Sequence, residues 1–332
     1  MKKLLFVAVA LAIVGAVGVW AGGSAEEDPT MTLRLAETHG PDYPTTQGSV
    51  EFARLVEERT DGRIQIEVFH SAQLGEESDA IEQVQFGGID FTRVSISPLS
   101  AFVPELDAFQ MPFLYNDADH MWDVLRGEIG REMFEELEEH GFVGLTWYDG
   151  GSRNFYTTSL VETVDDLEGL NIRVQEAPLM MDMVELLGAT PVPMPFGEVY
   201  SGLQTGVIDG AENNWPSYLT TSHYEVAPYF IENKHTMVPE ITVASMEVWE
   251  TLSPEDQEII REAAWESIDH QKRLWADFEE EAEEEIRAAG NTITEPSAEV
   301  LAEMQERMQP LYDRQPGHVK DMIERIQAYG GR

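Results

Sequence analysis

The chain contains no cysteine, so neither disulfides nor thiolate metal sites can hold it together and stability falls to the packed core. Lysine is nearly as scarce: beyond Lys2 and Lys3 only Lys234, Lys272 and Lys320 occur. Against 62 acidic residues stand 21 lysines and arginines, a formal net charge of −41. A surface of that sign repels phosphate backbones, which excludes nucleic acid as a partner. It reads as a solvated acidic shell suited to a saline medium that screens self-repulsion. After the first residues no apolar run approaches the length that crosses a bilayer. Also missing are a phosphate-cradling glycine loop, a dinucleotide glycine fingerprint, a nucleophile elbow and a zinc-protease helix pair. No catalytic residue, metal ligand or cofactor is therefore assigned. Glu37, Glu77 and Glu212 are candidates for the paired carboxylates of a glycoside hydrolase, but in so acidic a chain they are expected to be solvated or hydrogen-bonded.

What is present begins with Lys2-Lys3, an apolar run from Leu4 to Val19 and a small-residue site at Val19-Trp20-Ala21. This is the pattern of a secretory signal peptide over residues 1–21, which predicts export. The remainder is long enough for two domains. Leu33 and Leu35 open a strand, Gly48 to Thr60 predicts a helix stopped by Gly62, and Ile64, Ile66 and Val68 alternate with polar residues as the next strand. Strands and helices then alternate, which predicts an α/β fold with helices over a mostly parallel sheet. Ser253-Pro254-Glu255-Asp256 opens a helix with a cap, a first-turn proline and an acidic third position, and its apolar spacing predicts a run to Gly290. At about 1.5 Å per residue such a helix reaches on the order of 50 Å, enough to lie across two lobes.

A duplicated pattern also points to two lobes. Gln85, Gly87, Ile89 and Asp90 recur as Gln204, Gly206, Ile208 and Asp209, each time as a helix stopped by glycine and followed by a strand. The expected division is 31–150 with about 239–278 in one lobe, and 151–238 with about 279–332 in the other.

The chemistry concentrates around two arginines. In Asn171-Ile172-Arg173-Val174, strand alternation sends Ile172 and Val174 to one face and Arg173 to the other. A guanidinium on a rigid strand is suited to a planar anion, although one of the many carboxylates of the chain is an alternative partner. Gly151-Ser152-Arg153-Asn154-Phe155-Tyr156 offers a second arginine near a strand end. Two such forks can clamp one carboxylate and disfavour neutral analogues.

These residues stand among motifs that resemble a family: Gln73-Leu74-Gly75, Ala189-Thr190-Pro191-Val192-Pro193-Met194, Gly197-Glu198-Val199-Tyr200, Leu203-Gln204-Thr205-Gly206 and Asp209-Gly210-Ala211-Glu212-Asn213-Asn214-Trp215-Pro216. Together they are similar to the solute-binding proteins of TRAP transporters. The resemblance implies a two-lobed fold like that of periplasmic binding proteins, with crossing hinge strands and a long lobe-spanning helix. It further implies a periplasmic monomer without catalysis that closes on an organic acid and delivers it to a membrane permease. Carried over by position, Arg173 resembles the carboxylate-binding arginine, Arg153 its partner, Asn213 the asparagine of the second lobe, Phe196 an aromatic wall and Glu77 a further ligand-site residue. Ala36-Glu37-Thr38-His39, Thr92-Arg93-Val94-Ser95 and Trp147-Tyr148-Asp149 look most like the branch that binds the hexuronates glucuronate and galacturonate. There His39, Arg93, Asn213 and Asn214 are expected to reach sugar hydroxyls. Gluconate or sialic acid, or an exported enzyme acting on uronates, are the alternatives.

Overall fold

The computed structural model describes residues 31–330, so the expected signal peptide lies outside the described residues. Among the described residues eleven strands form two sheets. In chain order they are β1 (Met31–Glu37), β2 (Ile64–Phe69), β3 (Phe91–Ser95), β4 (Phe142–Tyr148), β5 (Ser152–Thr157), β6 (Asn171–Val174), β7 (Thr190–Pro193), β8 (Gly210–Asn213), β9 (Tyr229–Met237), β10 (Glu240–Ser245) and β11 (Thr292–Thr294). The first lobe is built on the order β2-β1-β3-β10-β4 and the second on β11-β9-β5-β8-β6-β7.

The sheets are mixed rather than mostly parallel. β1 pairs parallel with β2 and β3, but β10 runs antiparallel to β3 and β4. In the second sheet β5 is antiparallel to both β8 and β9, while β6 is parallel to β7 and β8. The antiparallel members are the strands by which the chain crosses between lobes: β4 leads through Asp149-Gly150-Gly151 into β5, and β9 returns through Val238-Pro239 into β10. A segment that leaves one sheet and enters the other without a covering helix has no right-handed crossover to make it parallel.

The helix Pro254–Ala289 runs 36 residues, with the Ser253 hydroxyl accepting from the Asp256 amide at its start and Gly290 at φ +91° at its end. It packs on the helix Pro44–Arg59 of the first lobe and on the helix Trp215–Thr220 of the second. The helix predicted from Gly48 begins earlier, at Pro44, because a proline without an amide hydrogen suits the first helical position. Gln271, buried on the long helix, closes two hydrogen bonds of 2.9 Å with the Asp149 backbone at the crossing. Gln271→Leu should leave those peptide groups unsatisfied and lower unfolding stability by about 2 kcal/mol. Denaturant unfolding of the variant checks this, and an unchanged midpoint would mean that the crossing does not depend on the helix.

The C-terminal region departs from the expected division. The helix Ala298–Arg314 packs on the second lobe, but the helix Gly317–Ala328 returns to the first, where Arg325 pairs with Glu132 and the His120 ring meets the Ile326 carbonyl. Residues 279–330 are therefore not confined to the second lobe. An amphipathic helix declares an apolar face without declaring which lobe covers it. Trp147, stacked between Phe109 and Phe134, and Trp215, stacked on Phe230, belong to the core. No helix among the described residues is long and apolar enough to cross a membrane.

Candidate functional site

The duplicated pattern proves to be spatial. Gly87 and Gly206 both take left-handed φ, +70° and +72°, and each hands a helix over to an inner strand, β3 or β8. Each of those strands is parallel to one neighbour and antiparallel to a crossing strand. The carboxyl ends of these two equivalent strands approach the same interlobe cavity. Arg93 and Glu212 are the corresponding residues of the two strands, and both are fully buried.

On the second lobe, Arg173 on β6 is 3% exposed and donates only through Nε, to the Met194 carbonyl at 2.9 Å. No carboxylate among the described residues pairs with it. Burial accordingly pushes its pKa down. Arg153 on β5 is held differently. Glu212 on β8 takes its Nε and Nη2 in a bidentate grip, and Asn213 Oδ1 accepts from Nη1 at 3.2 Å. Burial alone would raise the Glu212 carboxyl, but Arg153, with the His235 ring 3.6 Å away, outweighs it and holds it at about 2. His235, stacked on Phe155, is itself kept neutral by burial, which outweighs its contact with Glu212. The guanidinium of Arg153 is thus aimed from behind while it lines the cavity.

On the first lobe Arg93 does not reach the cavity wall. Glu37 binds it bidentately, and Glu240 and Glu77 take Nη1, the latter at 3.4 Å. This is a buried ion cluster rather than an outstretched donor for hydroxyls, and the carboxylates in front of it, Glu77 and Glu240, are what line the cavity. Glu77 accepts from the Ser95 amide at 2.8 Å, and burial together with Glu240 pushes its pKa up to about 7. His39 lies on Tyr43 with ring centres 3.8 Å apart and meets the edge of Phe196 at 5.1 Å. Burial and the nearby Arg93 and Arg153 keep it neutral.

The two asparagines divide their work. Asn213 uses its oxygen on Arg153 and the Asn214 amide. Asn214, rather than Asn213, caps the helix Trp215–Thr220 by accepting from the Ser217 amide at 2.8 Å, and its own amide donates to the Gly150 carbonyl. Both ends of the Asn214 side chain are therefore engaged with protein. Reading the sequence did not single out Glu240, Gln175 and Ser95, which also line the cavity. Gln175 stands two residues beyond Arg173, and strand alternation would have placed it on the same face. Gln175 Oε1 and Ser95 Oγ are buried without a hydrogen-bond partner, orphans of the kind that a polar ligand satisfies.

The lobes meet around this cavity. Tyr43 Oη lies 2.8 Å from Ser217 Oγ and donates to Asn214 Oδ1 at 3.3 Å, and Ser78 donates to Glu176 at 3.0 Å. A roomier depression on the first lobe, lined by Arg59, Arg261 and Trp265, stands open, and its Arg59 is already paired with Glu266. Enclosure and unpaired donors favour the interlobe cavity.

Residues 35–316 match the family model described as DctP, bacterial extracellular solute-binding protein, family 7. A solute-binding protein of Chromohalobacter salexigens is 39% identical over 277 residues, covering 83% of this chain and 82% of the relative. The structure of a TRAP periplasmic solute-binding protein from Xanthobacter autotrophicus Py2, with bound β-D-galacturonate, superposes with a TM-score of 0.87 at 40% identity, covering 89% of this chain and 99% of that one. One from Chromohalobacter salexigens, with bound D-glucuronate, gives a TM-score of 0.86 at 37% identity over 89% and 99% of the two chains. With its two mixed sheets closed on an arginine-lined cavity, this chain belongs to the DctP family of TRAP solute-binding proteins.

Proposed function

We propose that this protein captures a hexuronate, D-glucuronate or D-galacturonate, by closing its lobes around a carboxylate bound to Arg173 and Arg153, and delivers it from outside the cytoplasmic membrane to a TRAP permease. The observation that carries the reading is Arg173, a buried guanidinium on a strand with no carboxylate partner among the described residues, facing the interlobe cavity beside a second arginine. A buried unpaired cation is costly, and an anionic ligand that brings two oxygens relieves the cost in one step. The hexuronates bound by the two structural neighbours present one carboxylate and a ring of hydroxyls. The Asn213 amide, Gln175 and Ser95 supply partners for those hydroxyls, and the face of Phe196 gives the ring carbons an apolar wall.

Closure is the second part of the proposal. Tyr43 in the first lobe meets Ser217 in the second across the cleft, and a ligand bridging both walls would stabilise that closed arrangement. Only the occupied, closed shape would match the permease. Hydrolysis of a uronate glycoside fits the site poorly, since Glu37 and Glu212 are both locked on arginines and only Glu77 of the three candidate carboxylates lines the cavity. We place the mature protein in the periplasm as a monomer, exported by residues 1–21.

Thermal unfolding of the exported form in high salt tests the ligand class, because a ligand of the native state raises the midpoint with its concentration. Glucuronate and galacturonate should raise it and neutral glucose should not. A response to gluconate or sialic acid alone would move the assignment to another sugar acid, and a response to glucose would remove the carboxylate clamp.

A further inference from the structure

The interlobe cavity has two walls of opposite character. The second-lobe wall offers donors, the guanidinium groups of Arg173 and Arg153. The first-lobe wall offers Glu77 and Glu240, and the cation behind them cannot balance both. Arg93 carries one positive charge and is ringed by three carboxylates, with Glu37 already holding it bidentately. No other cationic side chain among the described residues pairs with Glu77 or Glu240. His39, the remaining titratable group on that wall, is neutral. Above about pH 7, the value to which Glu77 is raised, that carboxyl is ionised, and an ionised carboxylate accepts hydrogen bonds and cannot donate them. The end of a ligand that meets this wall must therefore bring hydrogens, and must not bring negative charge.

We infer that Glu77 and Glu240 are specificity-determining residues, which admit the far end of a sugar acid through its hydroxyl donors and reject ligands carrying a second carboxylate there. The inference rests on the carboxylate clamp proposed above, which fixes the ligand's direction in the cavity. Crowding on this wall is already felt: burial first, and the neighbouring carboxylates with it, push the pKa of both Glu77 and Glu240 up against the pull of Arg93. A third anion between them would meet the same repulsion with no free cation to offset it. Glu240 opens the crossing strand β10 and Glu77 opens the helix Glu77–Gln85, so both are held by rigid elements rather than by loops.

The test is titration calorimetry on the exported protein, at a pH clearly above the Glu77 value of about 7, with matched acids: glucuronate against glucarate, galacturonate against galactarate, and gluconate against glucarate. The last pair shares an open chain and differs only at the terminal carbon. The wild type should prefer each monoacid by about a hundredfold or more, since like-charge contacts in a desolvated site cost several kcal/mol. Glu240→Gln and Glu77→Gln keep shape and remove charge, and each should narrow the monoacid-to-diacid ratio by about tenfold. Ring and chain shapes are the same for wild type and variant, so the change in ratio reads the charge alone. Far-ultraviolet circular dichroism and the unfolding midpoint verify that the variants fold.

Equal affinity of the wild type for a monoacid and its diacid, or a ratio unmoved by both substitutions, would overturn the inference while leaving the clamp intact. If hexuronates fail to bind but gluconate binds in preference to glucarate, and the glutamine variants erode that preference, the hexuronate assignment falls and this inference stands. Absence of binding by every sugar acid would overturn both.

Discussion

Replacing Arg173 with alanine is expected to weaken hexuronate binding by at least about a hundredfold, because truncating one side of a buried, hydrogen-bonded charge pair costs on the order of 2–5 kcal/mol. The effect on the empty protein should be opposite in character. Arg173 makes one hydrogen bond, to the Met194 carbonyl, and is paired with no carboxylate among the described residues. Removing it takes a buried, uncompensated charge out of the fold, so the unliganded unfolding midpoint should hold or rise. Arg173→Lys should also bind poorly, since one ammonium cannot reproduce a planar fork against two oxygens. Calorimetry for affinity and a thermal scan without ligand separate the two effects. A variant that loses binding and stability together would mark Arg173 as a structural residue.

Glu212→Gln is expected to damage stability and binding at once. Glu212 is fully buried between Arg153 and His235, and breaking such a pair from one side typically costs about 3–5 kcal/mol. It also releases the grip that aims Arg153 into the cavity, so hexuronate affinity should fall even though Glu212 does not itself line the cavity. The acid limb of stability carries a second signature. The Glu212 carboxyl lies at about 2 in the folded protein, below its usual range near 4.5. A depressed carboxylate contributes stability that is fully present above the unfolded value and is lost as pH falls from about 4.5 toward about 2. The wild type should lose stability across that window, and Glu212→Gln should flatten the loss. An unchanged acid slope in the variant would show that other carboxylates govern acid unfolding.

The parts of this architecture that were legible in the sequence are those written in local chemistry. Ser253, Pro254 and Gly290 bracket the long helix because capping and left-handed backbone are decided within a few residues. Arg173 stands out because its strand is flanked by Ile172 and Val174, both fully buried on the opposite face. Gly87 and Gly206 announce their turns for the same local reason. What was not legible depends on register between distant strands. Glu212 is one acidic residue among 62 until β5 and β8 pair and set it beside Arg153. Arg93 looked like a free donor until Glu37 came alongside it, in register on β1, and Glu240 arrived on a crossing strand 147 residues away. The cap of the helix at Trp215 falls to Asn214, while Asn213 turns toward Arg153.

The two lobes also solve the same problem with inverted charge. At corresponding places on β3 and β8 the first lobe buries an arginine inside carboxylates, and the second buries a glutamate inside an arginine and a histidine. One wall is left acceptor-rich and the other donor-rich. That polarity gives the cavity a direction, which on the proposed reading sets the ligand's anion at one end and its hydroxyls at the other.

The most direct test of the central claim is a calorimetric titration of the exported protein with D-glucuronate and with its methyl ester, which keeps the hydroxyls and lacks the negative charge. The carboxylate clamp predicts saturable binding of glucuronate and an ester weaker by about a hundredfold or more, since the ester leaves Arg173 buried and unpaired. Equal affinities would show that the sugar hydroxyls, and not the carboxylate at Arg173, hold the ligand, and would contradict the account.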